Sequence, residues 1–283
     1  MLKRNSIAWA LMTTPSLWLI VFFVMPLMLM AVFSLRPDMH GGLFTLAWTP
    51  TLDHYSTAIE YGPLLWTSVQ VAFAVAFFGT LLAYPVAYFL VFRARQRGPL
   101  YLTLLILPFW TSYLLRIISW KIILGSNGVI NSLLIHVGLV DEPVRILLYS
   151  RLAVIVTLLY VWLPFVALPI YAALQRIDRS LLEAAAILGA PPWLTFLRVT
   201  FPLSLPGVIA GFFMVFIPTV GEYVSPLLVG GAKDSLYGNI IEVYFTDGNN
   251  WPLGSAMALI MLAGVLAMVA ILTRVVNLKR FVE

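Results

Sequence analysis

The sequence predicts an all-α polytopic membrane protein with six transmembrane helices, and three observations support this. Of its 283 residues, 61% are hydrophobic and 10% are charged, whereas soluble domains carry roughly 25% charged residues. Six stretches reach the roughly 20 apolar residues that a helix needs to cross the hydrocarbon of a bilayer. No stretch alternates between apolar and polar residues at period two, as the strands of a membrane β-barrel do.

The six predicted spans form one transmembrane domain that covers residues 1–283. The first span follows Lys3 and Arg4, as the apolar core of a signal peptide would. It is longer than such a core and no small-residue cleavage site closes it, so we expect it to remain as a helix. The predicted spans are Ile7–Leu35, Pro63–Phe92, Leu100–Leu124, Leu152–Leu174, Pro206–Val229 and Leu253–Val276.

The basic residues between the spans predict the orientation of the chain. Lys and Arg accumulate in the cytoplasmic loops of membrane proteins. Four of them fall on one side: Arg36, Arg145, Arg151 and Lys233. Eleven fall on the side that holds both termini: Lys3, Arg4, Arg93, Arg95, Arg97, Arg176, Arg179, Arg198, Arg274, Lys279 and Arg280. We therefore expect both termini in the cytoplasm of a bacterium, with the chain in its plasma (inner) membrane among lipid.

The composition argues against several other functions. No cysteine is present, and His40, His54 and His136 are too scattered for a metal site. The net charge of +5 is interpreted as orientation in the membrane, not as binding to nucleic acid. The chain contains no G-x-x-x-x-G-K-[ST] phosphate loop, and its spans hold no nucleophile–base pair. We expect neither a catalytic site nor a cofactor in this chain.

The segment 175–205, between the fourth and fifth spans, predicts a short helix that ends in a turn. Ser180 and Glu183 have the spacing of a capping box, with Ser180 as the N-cap. A helix rich in Ala and Leu is expected over Leu181–Leu188, and Gly189 falls where a left-handed residue would end it. The plainer interpretation is an amphipathic connector in which Glu183 only caps the helix.

Prolines divide the rest of this segment. Pro191 and Pro192 suit the first turn of a second helix, where a missing amide costs little. Pro202 is expected to stop that helix, and Pro206 is expected to open the fifth span. The segment is thus predicted to be a helix-turn-helix on the cytoplasmic face.

The same segment resembles the EAA loop of ATP-binding-cassette (ABC) importer permeases. That pattern is Glu-Ala-Ala, three residues, Gly, nine residues and Ile-x-Leu-Pro, and here Val199 and Phe201 replace its Ile and Leu. Six spans, with the loop between the fourth and fifth, agree with a type I importer permease fold. The matching positions are Glu183, Ala184, Ala185, Gly189 and Pro202.

The resemblance implies the partners and the mechanism of this chain. The loop, with Ser180 at its start, would be the coupling helix that docks on a separate dimer of ATP-binding subunits. Those subunits would bind ATP and Mg²⁺, and their closure would drive alternating access. A second permease subunit, expected to be non-identical, and a periplasmic or extracytoplasmic substrate-binding protein would complete the importer.

Further stretches resemble the polyamine (spermidine/putrescine) branch of these permeases. Permeases for ferric iron, sulfate, opines and phosphonates share much of the framework, so these solutes remain alternatives. A secondary transporter is the rival class, but it would need paired ionisable groups near the midplane. The stretches that carry the resemblance are Leu107–Trp120, Asn127–Asn131, Gly138–Pro143, Ile217–Gly231 and Trp251–Pro252.

Glu222 is the one acid inside a predicted span, and such a residue is costly unless it faces a cavity or a partner. Pro218, Gly221 and Pro226 surround it, so we expect an irregular helix, which is tolerated where it lines a pathway. A carboxylate beside freed carbonyls suits an ammonium group. Aromatic rings that would add cation–π faces to this substrate path are Tyr223, Trp110, Tyr113 and Trp120.

Two alternatives to this interpretation give these residues no role in the substrate path. Glu222 would form an intersubunit or intrachain salt bridge, to Arg116 or Lys121 for instance, and the aromatic residues would face lipid or the interfacial belt. The two cations themselves are expected to snorkel to the outer interface. Anion binding by these cations is the rival interpretation, and it would favour a sulfate-like or phosphonate-like substrate.

Overall fold

The computed structural model describes residues 12–37 and 49–276, and this part of the chain is helical, without a β-strand. Lys3, Arg4, Asp38, His40, Lys279 and Arg280 lie outside it. The helices are α1 Met12–Ser34, α2 Asp53–Glu60, α3 Gly62–Arg93, α4 Gly98–Ile106, α5 Tyr113–Leu124, α6 Val129–His136, α7 Arg151–Gln175, α8 Arg179–Ile187, α9 Pro192–Val220, α10 Val224–Val229, α11 Tyr237–Phe245 and α12 Trp251–Val276.

Six helical stretches of the described residues are long and apolar enough to cross a membrane, which confirms the predicted number of spans. The first predicted span begins at residue 7, outside the described residues. Which side each loop faces remains a prediction from the charge distribution. The six stretches are Met12–Ser34, Gly62–Arg93, Tyr113–His136, Arg151–Gln175, Pro192–Val220 and Trp251–Ile271.

The third span differs from the single helix predicted over Leu100–Leu124. α4 ends at Ile106, a 3₁₀ turn covers Leu107–Trp110, and the backbone is extended at Thr111 before α5 begins. Pro108 lacks the amide that would continue the α-helical hydrogen bonds, which favours a stop here. A second turn, at residues 125–128, separates α5 from α6.

The fifth span also differs from the prediction, because Pro202 and Pro206 do not interrupt it. α9 runs without a break from Pro192 to Val220 and ends immediately before Gly221. A π-helical turn at Phe196–Thr200, closed by a bond from the Phe201 amide to the Phe196 carbonyl, precedes the first proline. This wider turn rearranges the carbonyls that the Pro202 ring would otherwise meet.

A π turn also precedes the proline inside α1. A π turn at Ile20–Val24 is closed by the Met25 amide and directly precedes Pro26. The helix then continues to Ser34. A proline two residues beyond a π turn is therefore compatible with a continuous helix in both segments.

The chain divides into two compact units. One comprises the described residues of Met1–Pro63 with Ile240–Gly264, and the other comprises Leu64–Asn239 with the described residues of Val265–Glu283. In the first unit, the hydroxyl groups of Ser34 and Tyr55 lie 2.8 Å apart, and those of Tyr61 and Tyr244 also lie 2.8 Å apart.

In the second unit, α7 and α9 pack with their backbones in close approach. A Cβ atom on Gly207 would lie 2.5 Å from the Pro169 carbonyl oxygen, and one on Gly211 would lie 2.9 Å from that of Val166. Small residues four apart allow membrane helices to approach closely. This contact holds the middle of α9 against α7.

Candidate functional site

Helix α8 is capped by Asp178, not by Ser180 as predicted. The Asp178 Oδ1 atom accepts a hydrogen bond of 2.9 Å from the Ser180 backbone amide. That hydrogen bond from the Ser180 amide holds the pKa of the Asp178 carboxyl below its ordinary value. Glu183 consequently lies in the second turn and not at the N3 position of a capping box, and its side chain is exposed.

The end of α8 agrees with the prediction. Gly189 has φ +75°, a left-handed conformation that glycine adopts at little cost. The Ala190 amide donates to the Ala185 carbonyl and the Gly189 amide donates to the Ala186 carbonyl, both at 3.0 Å. These two bonds form a Schellman motif. Pro192 then occupies the first turn of α9, as predicted.

The surface of this segment exposes large apolar side chains. Ile187 and Leu188 are each 86% exposed, and Leu181 and Trp193 are exposed as well. Exposed apolar patches of this kind mark interaction sites. Of the residues predicted for coupling, Ser180, Glu183, Ala184 and Gly189 are exposed, and Ala185 and Pro202 are half-buried.

A second candidate site lies at the break between α9 and α10, where the predicted irregular helix is confirmed. Glu222 is 8% exposed within this break. Its Oε1 atom accepts from the amides of Val224 at 2.9 Å and Ser225 at 3.0 Å. Its Oε2 atom accepts from the Tyr113 hydroxyl at 2.6 Å. The carboxylate therefore caps α10 and ties it to α5.

The hydrogen bond between Tyr113 and Glu222 joins the breaks in two predicted spans, the third and the fifth. Tyr113 is the first residue of α5, directly after the break in the third span, and Glu222 lies in the break of the fifth span. The Ser225 hydroxyl is a further neighbour, 3.3 Å from that of Tyr113. Breaks in membrane helices are where transporters form solute sites from half-helix ends and freed backbone groups.

Arg116 does not snorkel to an interface, which corrects the prediction. It is 7% exposed, and its Cζ atom lies 5.4 Å from the ring centroid of Phe109 and 5.8 Å from that of Tyr113. Its Nη1 atom donates to the Val161 carbonyl at 3.4 Å. The turn at Leu107–Trp110 brings Phe109 to the guanidinium, and rings at this distance favour a buried cation.

The intrachain salt bridge suggested for Glu222 is also absent within the described ranges, and the intersubunit one stays a prediction. Neither Arg116 nor Lys121 forms an ion pair with the carboxylate among residues 12–37 and 49–276. Lys121 instead lies over the Tyr149 ring, with its Nζ atom 5.7 Å from the centroid. Hydrogen bonds from neutral groups, not an opposite charge, surround Glu222.

The predicted aromatic residues separate in the structure. Tyr113 contacts Glu222, whereas the side chains of Tyr223 and Trp110 are 42% and 78% exposed. Trp120 packs on Tyr160, with ring centroids 5.6 Å apart. The structure thus brings one of the four rings to the carboxylate.

Two residues that sequence reasoning missed complete these sites. Asp178 precedes the helix by one residue, and an Asp at that place is itself an N-cap signal. Asn239 donates to the Tyr223 carbonyl across the break at 2.7 Å. No local pattern indicates this second contact, because the two residues are sixteen positions apart. In the described ranges, no group of three or more His, Cys, Asp or Glu side chains that could hold a metal ion occurs.

Six spans, two interrupted helices that meet at a buried carboxylate, and an exposed helix between the fourth and fifth spans are the features of a multi-pass transport protein. The chain belongs to the family of binding-protein-dependent transport system inner membrane components, which matches residues 5–282. The resemblance to ABC importer permeases is thereby confirmed. The rival class of secondary transporters is excluded, and the protein is a multi-pass inner-membrane permease.

Curated relatives and a solved structure agree with this membership. The chain is 39% identical over 245 residues to the spermidine/putrescine transport system permease protein PotB of Haemophilus influenzae, covering 86% of this chain and 84% of that protein. It is 38% identical to PotB of Escherichia coli, covering 86% and 88%. A bacterial ABC transporter that imports the acidic polysaccharide alginate matches with a TM-score of 0.74 over 96% of both chains, at 17% identity, and shows the fold.

Proposed function

We propose that this chain is a permease subunit of an ATP-driven importer of polyamines, of the spermidine and putrescine class. Identity of 38–39% over 86% of the chain to permeases of that substrate class supports the choice of solute. A binding protein on the outer side delivers the solute, and the cytoplasmic termini lie on the side of the ATP-binding subunits. ATP and Mg²⁺ are bound by those subunits, so this chain is mechanical and carries no catalytic residue.

The continuity of α9 is the observation that carries this mechanism. Its 29 residues run from the turn after α8 to the break at Glu222. At 1.5 Å per residue, the helix is about 43 Å long. A displacement applied to α8 by an ATP-binding subunit is therefore passed along one rigid element to the candidate solute site.

The exposed apolar side chains of α8 supply the docking surface for the ATP-binding dimer. Ile187 and Leu188 project from the last turn, and Trp193 follows after the Schellman turn. Burial of such side chains in a partner contributes roughly 1.5–3 kcal/mol each. The Schellman motif at Gly189 holds these side chains in a fixed arrangement, so that a displacement of α8 is transmitted to α9.

Glu222 supplies the negative charge for an ammonium group at the break. Its Oε2 atom is held by one hydroxyl, that of Tyr113, which a stronger donor can replace. A charged donor forms a stronger hydrogen bond to a carboxylate than a hydroxyl does. One carboxylate is too few for a dication or trication, so a second, non-identical permease subunit contributes further acidic groups.

A specific observation favours a second candidate solute. Arg116 is buried beside Tyr113, and its Nε atom lacks a hydrogen-bond partner among the described residues. A buried guanidinium with a free donor suits an anion, so a sulfate-like or phosphonate-like solute is the alternative within the same importer class.

The test is to copurify the complete importer with its binding protein and to identify the solute. The binding protein is titrated with polyamines, amino acids, sulfate and ferric ion by calorimetry, and ATP-dependent uptake of the binders is measured in proteoliposomes. Tight binding and uptake of spermidine or putrescine are expected. Tight binding of an anion, with no binding of polyamines, would contradict the proposed substrate class.

A further inference from the structure

The short segment before and within the start of α11 returns to the break at Glu222, and we name residues 236–239 the brace. Asn239 lies at its end and is 8% exposed. Its Nδ2 group donates to the Tyr223 carbonyl at 2.7 Å, and its Oδ1 atom accepts from the Leu236 amide at 2.9 Å. The Asn239 side chain thus joins the brace to the break by one donor and closes the brace by one acceptor.

The brace is itself anchored to neighbouring helices of the same unit. The Tyr237 amide donates to the Ser68 hydroxyl on α3 at 2.8 Å, and the Tyr237 side chain is fully buried. Just before the brace, Asp234 lies 3.6 Å from the Nε atom of Arg151, at the start of α7. Asn239 therefore acts from a fixed support.

One peptide group links Asn239 to the Glu222 carboxylate. The peptide between Tyr223 and Val224 is planar, so its carbonyl and its amide are held in one plane and point in opposite directions. The carbonyl accepts from Asn239, and the amide donates to Glu222 Oε1 at 2.9 Å. A contact that fixes the Tyr223 carbonyl therefore also fixes the Val224 amide, which donates to the Glu222 carboxylate.

Gly238 brings the brace close enough for this contact. A Cβ atom on Gly238 would lie 2.7 Å from the Gly221 carbonyl oxygen and 2.9 Å from that of Glu222. Both atoms belong to the backbone, so a larger residue would displace the break itself. The break and the brace are thus in direct backbone contact over two residues.

We propose that Asn239 is a positioning residue, which orients the Glu222 carboxylate through the peptide between Tyr223 and Val224. The proposal rests on the function proposed above for Glu222 in the solute path. Asn239 does not touch the solute. It keeps the carboxylate in the orientation that meets an ammonium group, and its loss lets the peptide rotate.

The variant Asn239→Asp isolates the contact, because Asp keeps the acceptor for the Leu236 amide and loses the donor to the Tyr223 carbonyl. Asn131→Asp is the matched control. Asn131 is also buried, donates to the Gly125 carbonyl at 3.0 Å and accepts from the Val144 amide at 2.8 Å, but it lies on α6 and bonds to no residue of the break at Glu222. Both variants lose one buried hydrogen bond of the same kind.

We expect Asn239→Asp to lower ATP-dependent uptake about five- to tenfold, the usual effect of one buried hydrogen bond. Copurification with the ATP-binding subunits stays unchanged, and Asn131→Asp changes uptake less than about twofold. In a background of Glu222→Gln, the effect of Asn239→Asp disappears, because residues that act through one group are not additive. Equal losses in the two Asn variants, or full additivity with Glu222→Gln, would overturn the proposal.

Hydrogen exchange separates this proposal from the proposed function. The amides of Val224 and Ser225 donate to Glu222, so Asn239→Asp is expected to speed their exchange about tenfold or more. Unchanged exchange there would overturn the positioning role. If exchange rises while Glu222→Gln leaves uptake normal, the positioning stands and the solute role of Glu222 fails.

Gly238→Ala provides a second variant that does not alter a hydrogen-bonding side chain. Its Cβ atom would displace the carbonyls of Gly221 and Glu222, so uptake is expected to fall at least as far as in Asn239→Asp. Gly79→Ala is the control, because a Cβ there meets only side-chain atoms, at 3.6 Å and 3.7 Å. Normal uptake and exchange in Gly238→Ala would count against the brace.

Discussion

The two ends of α9 carry two interruptions that differ in what holds them. At the N-terminal end, Gly189 turns the chain with bonds from its own neighbours, and the apolar side chains of Ile187 and Leu188 are left exposed. At the other end, Glu222 is buried and is held by Tyr113, a residue 109 positions away. One turn is complete in itself, and the other depends on the tertiary structure.

This difference follows from the surroundings of each turn. The turn at Gly189 is exposed, and its backbone hydrogen bonds are closed by residues of α8 itself. The buried Glu222 carboxylate is shielded from water, so protein groups supply its hydrogen bonds: the neighbouring amides of Val224 and Ser225 and the distant Tyr113 hydroxyl. If the proposed function holds, changes at the first turn should weaken association with the ATP-binding subunits, and changes at the second should lower solute uptake by an assembled complex.

The largest effect is expected from Leu188→Asp, which places a charge in the apolar docking surface. Desolvating an unpaired carboxylate costs several kcal/mol, so association with the ATP-binding subunits and uptake should both fall to background. Affinity copurification and proteoliposome uptake measure the two. Ile59→Asp is the control, since Ile59 is also an exposed branched apolar side chain but lies on α2. Normal copurification of Leu188→Asp would disprove the docking role of α8.

Glu222→Gln should have the next largest effect, and on uptake alone. The substitution removes the charge and the acceptor for the Tyr113 hydroxyl, while one amide oxygen remains to cap α10. Hydrogen bonds to charged groups are worth about 1.5–3 kcal/mol, so polyamine uptake is expected to fall about 10- to 100-fold. Glu60→Gln, at an exposed acid of α2, is the control. Unchanged uptake kinetics in Glu222→Gln would reduce Glu222 to a structural cap.

Gly189→Ala tests the Schellman motif after α8 without removing a side-chain contact. Gly189 has φ +75°, and a Cβ atom on it would meet no other atom within 4 Å, so the cost is conformational, about 1–2 kcal/mol. A several-fold loss of uptake is expected, and Gly189→Asn should restore part of it because Asn tolerates this conformation. Gly138→Ala carries the same strain, at φ +74°, in the turn after α6. If the two Ala variants behave alike, the geometry of the α8 turn is not specific to coupling.

The same contrast explains how far the sequence predicted the structure. The number of spans and the left-handed Gly189 follow from local signals, namely apolar length and glycine after a helical run. The break at Glu222 was also predictable, because Pro218 and Gly221 precede it and Pro226 follows. Its hydrogen-bond partners were not predictable, since Tyr113 and Asn239 reach Glu222 and Tyr223 only through the packing of separate helices.

The wrong predictions have physical reasons as well. Pro202 was expected to end a helix, but the π turn at Phe196–Thr200 precedes it and the helix continues. Amino-acid composition does not predict a π turn. Arg116 was expected at an interface, but the rings of Phe109 and Tyr113 and the Val161 carbonyl hold it inside. In both cases tertiary packing overrides a preference that is correct for an isolated helix.

The smallest effect is expected at Asp178, whose carboxylate caps α8. The Ser180 amide holds the pKa of this carboxyl below its ordinary value, so the cap stabilises α8 at pH values above that ordinary value. The stabilisation is lost as the pH falls through the lowered pKa of the folded helix. The protection of the α8 amides, taken as their exchange rate relative to the intrinsic rate at each pH, should therefore fall on acidification in the unaltered protein, but not in Asp178→Asn, which keeps an uncharged acceptor.

Asp178→Ala removes the acceptor altogether and should expose α8 to faster exchange at every pH. Because the cap is exposed to water and Gly189 still closes the other end of the helix, uptake at neutral pH should change little. The ranking matters for the comparison of the two turns. If Asp178→Ala lowered uptake as strongly as Leu188→Asp, the folding of α8 itself, and not its apolar surface, would limit its association with the ATP-binding subunits.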